Sequence, residues 1–182
     1  ISQEKHDELV EEIADLVDTM LDLLADRLET PLSQKEEKSW EPGLEAAKLT
    51  YGKTNTFLAS LETLLLEIRE DPLMPLEVVD ELKSLRARHQ ENNAAEGQLI
   101  RRITKDRRIL GRENARLIIV QSDEQVEVLE KDILLVEDLV SRLRQDKLLN
   151  QTRDLMTQQN ELMRLLENLA QLQHRLKKYN HL

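Results

Sequence analysis

Residues 148–179 read LLNQTRDLMTQQNELMRLLENLAQLQHRLKKY, and the leucines at 148, 155, 162, 169 and 176 stand seven apart. A repeat of seven places one residue of every second helical turn on the same line, the seam along which α-helices pair by knobs-into-holes packing. With those leucines at position a of the heptad, Leu165, Leu172 and Tyr179 occupy d. Thr152, Gln158 and Gln159 put polar side chains at or beside the seam, a device that selects partner or register. Five leucine heptads are hard to obtain by chance, so the segment is read as leucine-zipper-like coiled coil.

Upstream, Val126, Leu129, Ile133, Val136, Val140 and Leu143 form a second seam, broadened by Leu135 and Leu139. The two seams are out of phase, so a bend or a change of partner is expected near residues 144–147. Both seams are assigned to the interface with partner helices. Ile103, Leu110 and Leu117 continue the seven-residue spacing further upstream, and residues 86–98 between Leu85 and this run are polar, with Gly97 a soft point.

The four prolines, Pro31, Pro42, Pro72 and Pro75, all lie in the first 75 residues and mark breaks, because a proline inside a helix costs about 3 kcal/mol. Before them, Leu9, Ile13, Leu16, Met20, Leu24 and Leu28 define an amphipathic helix over about 3–29, with Ser2 as its N-cap. A polar connector over 30–43 carries Trp40, equally readable as a docking anchor or as a cover over the helices, and a capping box at Ser33–Glu36. A second helix starts near Pro42. Its seam runs Leu44, Ala47, Tyr51, Thr54, Leu58, Leu61, Leu65 and Ile68, alternating steps of three and four. After Pro75 no proline recurs, and one uninterrupted helix to the end would span about 160 Å at about 1.5 Å per residue.

The fold class expected is therefore all-α: an N-terminal head of two helices (1–75), a coiled coil with a basic patch (76–145), and a zipper-like coiled coil (146–182). Composition agrees, since charged residues make up 34% of the chain and aromatics only 2%, the profile of long helices rather than of a compact aromatic core. The chain opens on Ile1 and stops at Leu182 within a helical pattern, as a piece of something longer does.

Charge is divided unevenly. Residues 1–75 hold 7 basic and 18 acidic side chains, net −11, whereas residues 76–182 hold 19 and 18, net +1. The acidic part disfavours generic nucleic-acid binding there. Arg101, Arg102, Lys105, Arg107, Arg108, Arg112 and Arg116 form a basic patch, readable as an ordinary solvated helix face or as a dock for phosphates or an acidic surface. A basic-region zipper factor is disfavoured, because more than thirty residues part the patch from Leu148.

No catalytic residue, metal site or cofactor is expected. Cysteine is absent, glycines are too scattered for a phosphate loop, and His6, His89, His174 and His181 stand alone, without the His or Glu spacing of helix-borne metal sites. All four histidines are read as solvated surface. No apolar run approaches the ~20 residues of a membrane span.

Residues 52–62, GKTNTFLASLE, leading to 71–77, DPLMPLE, resemble coiled-coil subunits of the MIND complex, the rod-shaped hub of the kinetochore. The match covers about 30 residues and lacks the aromatic-rich N-terminal motif common in that family. The resemblance implies a head hairpin ahead of a coiled-coil rod and other coiled-coil subunits as partners (hetero- rather than homo-oligomeric); the setting expected is intracellular, nuclear or cytoplasmic, with the nuclear, chromosomal one favoured. Coiled-coil adaptors of tethering, autophagy or spindle complexes share the same general pattern. The function expected is a structural scaffold subunit, with nucleic-acid binding through residues 101–116 as the alternative.

Overall fold

The computed structural model describes residues 2–29, 40–105 and 111–180, with the side chains of Trp40, Gly111 and Arg112 left aside. Among them are four α-helices and no strand: α1 (Gln3–Leu28), α2 (Trp40–Arg69), α3 (Leu76–Lys105) and α4 (Gly111–Asn180). Contacts group the chain into two units, residues 1–140 and residues 141–182, and α4 contributes to both.

The start of α1 follows from the sequence. Ser2 is extended at the N-cap, and its hydroxyl accepts from the Lys5 N–H at 3.2 Å, satisfying one of the free donors of the first turn. The apolar stripe then buries Leu9, Ile13, Leu16 and Met20 as expected. Beyond Met20 it drifts: Leu23 and Arg27 turn inward, and Leu28 is 65% exposed instead of continuing the stripe.

Pro72 and Pro75 close a turn within the first unit rather than separating two. Asp71 organises that turn. Its Oδ1 accepts from the Leu73 N–H at 2.9 Å, while Oδ2 lies 2.5 Å from His6 Nδ1 at the start of α1. His6 and Asp71 are both buried, so this polar contact ties two helix ends together out of water.

Cross-helix contacts fix direction. Asp26 meets Lys53 at 2.5 Å and Glu12 faces Glu67, so α1 and α2 run antiparallel. Asn93 donates to Asn55 at 2.6 Å and Arg86 pairs with Glu62 at 3.1 Å, so α2 and α3 form an antiparallel hairpin. The helix after Pro75 is not continuous: α3 ends at Lys105 and α4, beginning at Gly111, returns antiparallel to it. Arg88 meets Asp132 at 2.6 Å, and Ile103 shares a buried cluster with Ile118 and Leu44. Residues 1–140 thus form an up-down-up-down four-helix arrangement, not a two-helix head preceding a coiled coil.

The α2 seam is largely internal to this unit. Leu44, Thr54, Leu61, Leu65 and Ile68 are buried, Tyr51 and Leu58 half-buried, and Phe57 and Leu64 join them. Gly97 on α3 has a packing reason: a Cβ there would come 2.9 Å from the Tyr51 ring, so the missing side chain is what admits the tyrosine.

A buried ion pair joins α1 and α3. Arg27 of α1 forms a two-pronged pair with Glu96 of α3, Nη1 to Oε2 at 2.5 Å and Nη2 to Oε1 at 2.7 Å, with both side chains at most 3% exposed. Planar, bidentate geometry is what makes a buried pair tolerable. Removing one partner strands the other charge. Glu96→Leu alone or Arg27→Met alone should therefore destabilise residues 1–140 by about 3–5 kcal/mol in urea unfolding, whereas the double variant loses much less. A double-variant loss equal to the sum of the two single losses would show that the pair is not coupled.

Candidate interaction surface

The two seams of α4 have different destinations. In the first unit Leu129, Ile133, Val136, Leu139 and Val140 are buried and Val126 is half-buried. The expectation that they face a partner chain therefore gives way: their cover is the chain's own bundle. Leu143, in the second unit, is also buried. From Leu148 to Asn180 every residue is exposed. Leu148, Leu155, Leu162, Leu165, Leu169, Leu172 and Leu176 are each 52–65% exposed, and Tyr179 is 72% exposed. Leu149, Met156, Met163 and Leu166 flank them and are as open. The helix itself runs through residues 144–147 as one element, so the change of phase there marks a change of environment.

A contiguous apolar strip of this length on a helix is a candidate interaction surface. Scattered single leucines need no such explanation. The charge also divides with the units. Residues 1–140 hold 18 basic and 32 acidic side chains, net −14, and residues 141–182 hold 8 and 4, net +4.

Of the basic patch, Arg101, Arg102, Lys105 and Arg116 are exposed on α3 and α4. Arg107 and Arg108, and the side chain of Arg112, lie outside the described residues, as do Leu110, the connector with its Ser33–Glu36 capping box, the Trp40 side chain and His181.

Buried polar groups in the first unit are the residues the sequence reading missed. His89 is 1% exposed and His6 8%, so neither is solvated surface; His174 is exposed. Val78, Leu82, Leu85, His89, Asn93, Glu96 and Ile103 continue one buried line of α3, so the heptad spacing of residues 78–85, carried forward, was the available signal. His89 packs edge-on against Phe57, with centroids 5.5 Å apart, and its Nε2 lies 2.8 Å from Asp132 Oδ2. Neither of those two atoms has a well-aligned hydrogen bond. Asn114 is wholly buried with both amide atoms unpartnered among the described residues, and Gln125 Nε2 is likewise unpartnered. Each such group carries a desolvation cost of about 1–3 kcal/mol.

Two carboxylates are shifted in opposite directions. Burial alone pushes Asp132 up, but the His89 ring and the Arg88 guanidinium outweigh it and hold Asp132 below its ordinary value of 3.8. Burial raises Glu12 above its ordinary 4.5, and Glu67 facing it across α1 and α2 raises it further, because the two carboxyls can share a hydrogen bond only when one is protonated.

A groove of about 190 Å3 opens between Arg27, Leu28, Ile118, Ile119, Ser122, Asp123 and Val126, where the one cation is already held by Glu96. Among the described residues no group of three or more His, Asp or Glu is placed to hold a metal, and no helix is long and apolar enough to cross a membrane. No protein-family model, curated protein or solved structure matches the chain.

The two shifts predict opposite pH responses. Asp132, with its depressed pKa, stabilises the fold above about pH 3.8, and that contribution is lost as pH falls through the lowered value. Glu12 is the reverse: its contribution is complete below the ordinary 4.5 and is lost as pH rises through the raised value. At pH 7, Asp132→Asn should lower the melting temperature, whereas Glu12→Gln should raise it slightly and reduce the gain on mild acidification. Thermal melts of both variants and the unaltered chain from about pH 2 to 7 check the signs.

Proposed function

We propose that this chain is a structural coiled-coil subunit whose residues 148–179 assemble with helices of other subunits in a multiprotein scaffold. The observation that carries the reading is the exposure of the whole leucine stripe on α4, beyond a bundle that has already satisfied the first half of the same helix. An amphipathic helix with such a face gains its stability from packing. The face is also wider than a two-stranded seam, since Leu149, Met156 and Met163 lie beside it, so it has room for more than one helix. The scaffold we propose is the kinetochore, in a nuclear setting, on the resemblance of residues 52–62 and 71–77 to MIND-complex subunits; tethering, autophagy and spindle complexes are the competing settings.

Replacing Leu155 and Leu162 together with Asp should abolish assembly while leaving the melting transition of residues 1–140 in place. Co-purification at wild-type stoichiometry by the double variant would rule out the stripe as the interface.

A second reading, binding of nucleic acid or an acidic surface, is favoured by the exposure of Arg101, Arg102, Lys105 and Arg116. It predicts affinity for DNA or RNA that drops steeply between about 50 and 200 mM salt. No binding at the lower salt would remove it.

A further inference from the structure

We infer that one of the helices covering the stripe is the same stripe of a second copy of this chain, running antiparallel and centred between Leu162 and Leu165. The inference rests on reading residues 148–179 as an interface, and adds the occupant, its direction and its register.

The charges flanking the seam decide direction. With Leu148, Leu155, Leu162, Leu169 and Leu176 at a, the g positions are Lys147, Asp154, Glu161, Asn168 and Arg175. The e positions are Thr152, Gln159, Leu166, Gln173 and Asn180, none of them charged. In a parallel pair each g meets an e of the next heptad. Lys147 then faces Thr152, Asp154 faces Gln159, Glu161 faces Leu166 and Arg175 faces Asn180, so no flanking charge is matched. In an antiparallel pair g meets g. Setting Leu162 opposite Leu165 brings Asp154 of each copy against Arg175 of the other, places Glu161 against Asn168, and leaves no like charges opposed.

The same register aligns the core. Leu155 meets Leu172, Leu162 meets Leu165 and Leu148 meets Tyr179, so the whole of 148–179 overlaps its copy. Gln151 and Gln158 fall opposite Leu176 and Leu169, where their long side chains reach the rim of the seam and keep their amides in water.

Charge at longer range favours the same direction. After Glu167 the helix carries Arg175, Lys177 and Lys178 and no acid. Parallel pairing brings these cationic ends of the two copies to the same end of the pair. Antiparallel pairing lays the cationic end beside Asp154 of the other copy, and the two Leu148 positions then stand at opposite ends of an overlap of about 48 Å at about 1.5 Å per residue. Leu149, Met156 and Met163 stay outside the a/d seam of this pair, available to further subunits.

The absence of cysteine makes the test clean, because an introduced thiol is unique among these 182 residues. L155C and L172C are made separately, oxidised alone, and oxidised as an equal mixture. The antiparallel register predicts disulfide-linked dimer in the mixture and little in either variant alone. Cross-linking of each variant alone, with none added by mixing, would show parallel pairing and overturn the direction while sparing the interface. A wild-type chain that sediments as a monomer at tens of micromolar would overturn the second copy, leaving the stripe to other subunits. Self-association unchanged by the Leu155→Asp, Leu162→Asp double substitution would overturn the interface reading itself.

Discussion

Arg27 and Glu96 meet with both charges out of water, and the geometry leaves little freedom: two parallel hydrogen bonds hold a planar guanidinium against a carboxylate. Breaking either side strands the other charge in a region without compensating solvent. The pair thereby sets the height of α1 relative to α3. Further polar contacts join the other helices: Asn93 to Asn55 between α3 and α2, His6 of α1 to Asp71 after α2, and Arg88 with His89 of α3 around Asp132 of α4. Apolar packing alone tolerates sliding along a heptad. These contacts do not, and they specify one register for four antiparallel helices.

Register has a direct consequence for α4. Once Asp132 is placed between Arg88 and His89, the apolar line Leu129, Ile133, Val136 and Val140 turns into the bundle and is used there. The seam from Leu148 onward starts in a different phase and has no such cover. One helix thus serves two environments, and the phase shift between the seams is where the sequence records it. The charge follows the same division, net −14 for residues 1–140 and net +4 for residues 141–182.

Much of the local structure was legible in the sequence because it depends on local chemistry. Ser2 caps α1, Pro72 and Pro75 close a turn, and the three-four spacing from Leu44 to Ile68 defines a packed face. Periodicity says that a face is buried, not what buries it, so Val126 to Val140 were assigned to a partner although their own chain covers them. Polarity misled in the other direction. His89, Asn93 and Glu96 looked like surface because they are polar, yet they continue the line of Val78, Leu82 and Leu85 inward. A buried position filled by a polar residue is visible only when the spacing is carried through it. The reversal of the chain between Lys105 and Gly111 carried no proline to announce it.

The division of α4 is the claim on which the rest turns, and hydrogen exchange along the intact chain addresses it most directly. Amides of residues 114–140 should exchange as slowly as those of 54–68 and 78–97, in one cooperative unit. Those of 148–179 should exchange on a separate scale, slowing as the protein concentration or the supply of partner helices rises. Protection of 148–179 that matches the bundle and ignores concentration, or rapid exchange of 114–140, would contradict the account.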